Sequence, residues 1–204
     1  MFKTHVLPLV AGFLLIFSPT ARADEFSKTL VDAALKRINQ TVLYDPAYVK
    51  LSYPMGDVAN DRGVCTDVVI RAFRGAGVDL QQRVHKDMRA NFSKYPKRWG
   101  AKTTDKNIDH RRVPNLRVFF KRHGQSLKVT NNPIDYKAGD LVTWDLKGKK
   151  CCGFARLAHI GVVTHKRSVD GKRPLIVHNI GSGTQLQDIL FTYTITGHYR
   201  YKGE

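Results

Sequence analysis

Three cysteines and eight histidines are the residues of this 204-residue chain best suited to covalent chemistry. Cys65 lies in Asp61-Arg62-Gly63-Val64-Cys65-Thr66-Asp67, where a glycine-containing loop runs into an apolar helical pattern. A thiol at a helix start faces unpaired backbone N–H groups and the positive end of the helix dipole. Both favour the thiolate, and the same N–H groups can hold an oxyanion. The alternative reading of such a residue is a small buried hydrophobe. Cys151 and Cys152 are neighbours, and a bridge between adjacent residues is strained. An odd cysteine count leaves at least one thiol without a partner in its own chain, and Cys65 stands apart as a candidate for that free thiol.

A thiol nucleophile works with a base in hydrogen-bond reach. His159 sits in Ala158-His159-Ile160-Gly161-Val162-Val163, and His178 in Leu175-Ile176-Val177-His178-Asn179-Ile180. Two apolar strands each carrying one histidine suit neighbours in one sheet, where the second polar side chain orients the first imidazole. His178 alternates with Ile176 and Ile180 and is the favoured orienting residue. Asn179 takes that role if the sheet faces are reversed, since strand neighbours point to opposite sides. Asp109-His110-Arg111-Arg112 forms a dense polar cluster whose arginines can grip carboxylates bidentately, which makes it a candidate substrate clamp. An exposed loop is the plainer reading of it. Arg71 and Arg74, on the Cys65 helix, read as a solvated helix face. A zinc hydrolase built on Asp109, His110, His159 and His178 is a competing chemistry, but the spacing matches no compact zinc motif. No metal and no cofactor is therefore expected.

The elements that must position these residues follow from periodicity. Phe26, Leu30, Ala34 and Ile38 predict a helix over 24–40. A second helix starts at Val64-Cys65 and stops at Gly75 or Gly77. A third runs from Asp79 as N-cap to about Phe92. A fourth spans Val113 to His123, with Pro114 in its first turn and Gly124 after its end. Beyond it the period becomes extended. Strands are expected over 141–146, 157–164 and 174–180, with one or two more over 188–196 and 197–202. Helices first and an antiparallel sheet second is an α+β pattern, with no linker to divide it.

Residues 1–23 stand outside that domain. Lys3 and His5 give a basic start, Val6 to Phe17 is apolar, and Ala21-Arg22-Ala23 is an A-x-A cleavage signal. The apolar run is shorter than the roughly 20 residues that span a bilayer. The reading is a cleaved signal peptide, then one domain over 24–204, periplasmic or secreted, with no transmembrane segment after cleavage. At 42% hydrophobic residues the domain can bury a core. The formal net charge of +17 favours anionic partners. No recognition motif points to nucleic acid, so for an exported chain the expected partner is peptidoglycan or another anionic cell-envelope substrate.

Certain segments carry a resemblance. Tyr44-Asp45-Pro46-Ala47-Tyr48, Gly63-Val64-Cys65-Thr66-Asp67-Val68-Val69-Ile70-Arg71, Asn107-Ile108-Asp109-His110-Arg111-Arg112-Val113-Pro114-Asn115-Leu116, Ala138-Gly139-Asp140, Leu157-Ala158-His159-Ile160-Gly161-Val162-Val163 and Val177-His178-Asn179-Ile180-Gly181 are its carriers. In these the chain resembles domain-of-unknown-function family 1287, a family of secreted bacterial proteins, nearly along its full length. Over a shorter stretch, by order and spacing, it is similar to the NlpC-type cell-wall cysteine peptidases of the papain-like clan. The resemblance implies a papain-like fold with Cys65 at a helix start and a Cys65–His159–His178 triad. It implies cleavage of amide bonds in peptidoglycan peptides. A tyrosine about 12 residues before the cysteine is typical of the group, and Tyr53 occupies that place. The group usually has Ser-Gly after the cysteine where this chain has Thr66-Asp67. Asp67 there would oppose the thiolate or bind a cationic substrate group. The same triad could cleave a lipid ester or transfer an acyl group, and a basic domain could dock on the envelope without catalysis.

Overall fold

The computed structural model describes residues 19–147 and 157–203. Most of the apolar leader, together with Cys151 and Cys152, lies outside the described residues. The first helix, α1 (Pro19–Leu35), takes in Ala21-Arg22-Ala23 and buries Phe26, Leu30, Val31 and Ala34. It ends before the expected Gln40, and turns carry the chain to Thr41. Two short pieces, β1 (Leu43–Tyr44) and β2 (Arg62–Gly63), pair in parallel and bring the chain to α2 (Cys65–Gly75). This helix buries every residue from Cys65 to Phe73, which makes it the centre of the core. Gly75 does more than end it: a Cβ there would lie 2.5 Å from the Ala33 Cβ, so its bareness lets α1 cross close by.

Next come α3 (Leu80–Ala90), capped by the Asp79 side chain accepting from the Gln81 N–H, and α4 (Val113–His123). Pro114 opens the first turn of α4, and the Gly124 N–H closes its last turn on the Phe120 carbonyl.

The sheet contains β3 (Gln125–Leu127), β4 (Leu141–Asp145), β5 (Ala158–Arg167), β6 (Pro174–Asn179), β7 (Thr184–Gln187) and β8 (Thr194–Arg200). All are antiparallel, in the order β3-β8-β4-β5-β6-β7. One face, through Leu141, Ile160, Val162, Val177 and Tyr199, packs on the helices. The other carries Val142, Trp144, Val163 and Ile176. The strand expected over 188–196 is absent in its first part. Residues 188–193 form turns that lay Ile189, Leu190, Phe191 and Tyr193 over that second face, and the Leu190 carbonyl accepts the buried Trp144 indole N–H at 3.0 Å. An apolar alternation was thus used to cover a sheet rather than to extend it. Among the described residues no helix is long and apolar enough to cross a membrane.

Candidate active site

Cys65 begins α2 and is almost sealed, at 5% exposure. The backbone N–H groups of Ile160, Thr66 and Cys65 itself lie near its sulfur and favour the thiolate. The approach of the Ile160 amide has a topological cause. Odd-numbered residues of β5 face β4, since Leu157 O and Val163 N both bond in that direction. Even-numbered ones therefore face β6, but that ladder runs only as far as Val162 opposite Val177. Past this point the start of α2 fills the gap. The Ile160 N–H lies beside Sγ, and the Asn179 side chain gives its N–H to Gly63 O at 3.1 Å. Asn179 also accepts from Gly181 N, so it pins the nucleophile loop and does not orient an imidazole.

Burial pushes the Cys65 thiol up to about 12, with Asp67 adding to it, and the three amides do not reverse this. Burial likewise takes His159 down to about 3, with His178 contributing. The thiolate expected at this helix start is therefore not the resting form: at neutral pH both groups are uncharged.

His159 and His178 form one chain of hydrogen bonds. His159 Nε2 is 3.0 Å from His178 Nδ1, and His178 Nε2 is 2.8 Å from Gln187 Oε1. The Gln187 amide nitrogen donates to Gln185 Oε1 at 2.7 Å, so its oxygen is the end that faces His178. That oxygen can only accept. His178 therefore carries its proton on Nε2 and accepts on Nδ1, and His159 donates from Nε2. The His159 Nδ1 lone pair is left bare, the state a base requires. Burial lowers the His178 pKa, against the Gln187 bond, and favours this neutral pair. Trp144, opposite His159 in the β4–β5 register, places its ring 5.8 Å from the imidazole. A Cβ on Gly161 would come within 3.2 Å of the His178 Cβ and 2.6 Å of Ile176 Cγ2, so that glycine makes room for the second histidine.

The polar cluster before α4 is turned inward. Arg111 binds Asp67 through two bonds, of 2.8 and 2.9 Å, with both side chains 2% exposed. Asp67 also accepts the Val64 N–H at 2.7 Å, and the Thr66 hydroxyl donates to Arg111 O. The acid two residues after the cysteine is thus a brace for the start of α2. Asp109 is buried, accepting from Asp105 N, while its carbonyl takes the Asn115 amide. His110 is buried beside Arg74, Arg111 and His85, and desolvation takes it down to about 3. That cationic setting is poor for a metal ligand. Among the described residues no three His, Cys, Asp or Glu side chains gather to hold an ion. Arg71 is no solvated face: it is buried, and binds Asp57, Thr41 and three backbone carbonyls.

A cavity of about 330 Å³ opens beside Cys65, with Tyr44, Thr66, Arg98, Trp99, Arg111, Arg112 and Leu157 in its wall. The Arg112 guanidinium lies 4.1 Å over the Trp99 ring. Tyr53 is not in this wall; its ring packs edge-on to His85 at 5.2 Å, with Lys106 nearby. Tyr44 is the tyrosine at the cavity, its phenol raised by burial and then by Cys65 and Asp67. Arg98, Trp99, Gln185 and Gln187 escaped the sequence reading, and Tyr44 entered it only as part of a segment carrying the resemblance, with no role at the site. The glutamines had a signal in the turn formers Gly181-Ser182-Gly183, after which the chain returns along β6 and sets Gln185 opposite His178.

The family model described as "Domain of unknown function (DUF1287)" matches residues 31–201. A curated relative, "Uncharacterized protein YijF" of Escherichia coli (strain K12), is 52% identical over 172 residues, covering 84% of this chain and 80% of its own. Two crystal structures of an N-acetylmuramoyl-L-alanine amidase from Bacteroides uniformis ATCC 8492 share the fold. The first has TM-score 0.51 and 12% identity, over 87% of this chain and 99% of the other. The second has TM-score 0.51 and 13% identity, over 86% and 98%.

Proposed function

We propose that this chain, which belongs to the DUF1287 family, is an exported cysteine hydrolase that cleaves an amide bond in peptidoglycan peptides. The observation that carries the reading is the Cys65 thiol at the start of α2, placed beside the Ile160 amide, one residue along the strand from His159, whose Nε2 is held by His178. The fold shared with a cell-wall amidase supports it, and Ala21-Arg22-Ala23 after an apolar run supports export.

The uncharged resting pair defines the order of events. Substrate enters the cavity, and the bare Nδ1 of His159 takes the thiol proton as sulfur adds to the carbonyl. Backbone N–H groups at the start of α2 stabilise the oxyanion. Protonated His159 passes its proton to the leaving nitrogen as the C–N bond breaks. Water, deprotonated by the same nitrogen, then cleaves the thioester, releasing an acid and restoring the thiol. Net consumption is one amide and one water. Arg98 and Arg112 make no ion pair among the described residues and suit the carboxylates of a stem peptide.

The test is digestion of purified peptidoglycan by the wild type, Cys65→Ala and His159→Ala, with mass analysis of the products. New amine and carboxyl ends should appear with the wild type and fall by about a thousandfold or more in both variants. Equal release by wild type and Cys65→Ala would remove the cysteine from the chemistry.

A further inference from the structure

Trp99 is the most conspicuous residue of the cavity that the hydrolytic reading leaves unused. It is 61% exposed, although it is one of only two tryptophans; the other, Trp144, is fully buried. Its backbone is left-handed, with φ 57° and ψ 29°, a conformation that a bulky residue adopts only when its surroundings impose it. Arg112 covers one face of the ring, which fixes its orientation. The ring is therefore held in place, outward, at the mouth of the Cys65 cavity.

We infer that Trp99 is a stacking platform for a sugar ring, and that the substrate is a peptide still joined to its amino sugar. A pyranose offers an apolar C–H face bounded by hydroxyl and amide groups. It matches a single flat indole rimmed by Arg98 and Arg112. A lipid chain or a protein partner would call for a broader aliphatic surface, and here cationic groups border the ring. Because Trp99 and Cys65 line one cavity, the sugar and the scissile bond must be neighbours. The amide that fits is the one joining the acyl group on the sugar to the first residue of the peptide. This deepens the proposed hydrolase reading and rests on it for the bond cleaved, but not for the binding.

Binding is tested in Cys65→Ala, where no turnover intervenes. The probes are N-acetylmuramoyl-L-alanyl-D-isoglutamine and the same dipeptide without sugar. Tryptophan emission should respond to the first, since only Trp99 is accessible. Calorimetry should give the sugar-bearing probe an affinity about tenfold or more above the bare dipeptide. The preference should persist in the added Trp99→Phe variant and vanish with Trp99→Ala. Equal affinities for the two probes, or a preference that survives Trp99→Ala, would overturn the platform. Hydrolysis by the wild-type protein is scored separately, so a failure of the cysteine mechanism would leave these binding results standing.

Discussion

Nε2 of His159 donates to Nδ1 of His178 across 3.0 Å, and the direction of that bond is set by a glutamine two strands away from the base. Gln185 orients Gln187, Gln187 fixes the His178 proton, and His178 fixes that of His159.

Gln187 is therefore a positioning residue. Gln187→Leu should lower kcat by about 10- to 100-fold, as loss of an orienting partner does elsewhere. Gln187→Glu should recover much of the rate but move the acid limb of the pH–rate profile upward, because a carboxylate raises both histidines. A purely structural role would change the melting temperature and leave that limb in place.

Thiol reactivity should report the uncharged pair. With Cys65 pushed up to about 12 and His159 held near 3, the thiolate fraction grows about tenfold per pH unit from pH 6 to 9. Alkylation of Cys65 by iodoacetamide should rise in parallel and show no plateau. A fast plateau below pH 7 would mean a thiolate–imidazolium pair instead.

The Asp67–Arg111 pair should matter through its coupling. Asp67→Ala strands a buried guanidinium and frees the Val64 amide, so it should cost about 3–5 kcal/mol, and Arg111→Ala a similar amount. The double variant should lose much less than the sum in urea denaturation. Strict additivity would show that the two charges do not depend on each other.

Asp87 ties α3 to α4. Burial would raise its carboxyl, but bonds from Arg122, Tyr95 and His123 hold it well below the usual carboxylate range. A folded-state pKa below the unfolded one gives stability that is complete above about pH 3.9 and fades as pH falls toward the folded value. Asp87→Asn should therefore melt at lower temperature than the wild type at pH 7. The gap should narrow below about pH 4, and a constant gap across that range would contradict the assignment.

The helices were legible because their ends carry chemical markers: Asp79 before α3, Pro114 and Gly124 around α4, and the Gly63 loop before α2. His159 and His178 were legible as polar residues in apolar strands. β7 was not, since Thr184-Gln185-Leu186-Gln187 has one apolar residue in four and gains its strand character from pairing with β6. Ile189, Phe191 and Tyr193 alternate like a strand because they cap the face around Trp144, and the strand itself begins only at Thr194. The inward turn of Asp67 and Arg111 depends on contacts 44 positions apart, which no local pattern encodes. Trp99 and Tyr44 met Cys65 only once the chain had folded.

The Ile160 N–H has no partner in the ladder between β5 and β6 and lies beside the Cys65 sulfur instead. A heteroatom of the reacting side chain here stands in for a backbone carbonyl. Converting that thiol into a thioester weakens its hold on the donor, so any covalent visitor must loosen the sheet at that spot. Deuterium uptake at a single amide then becomes a clock for occupancy of the nucleophile.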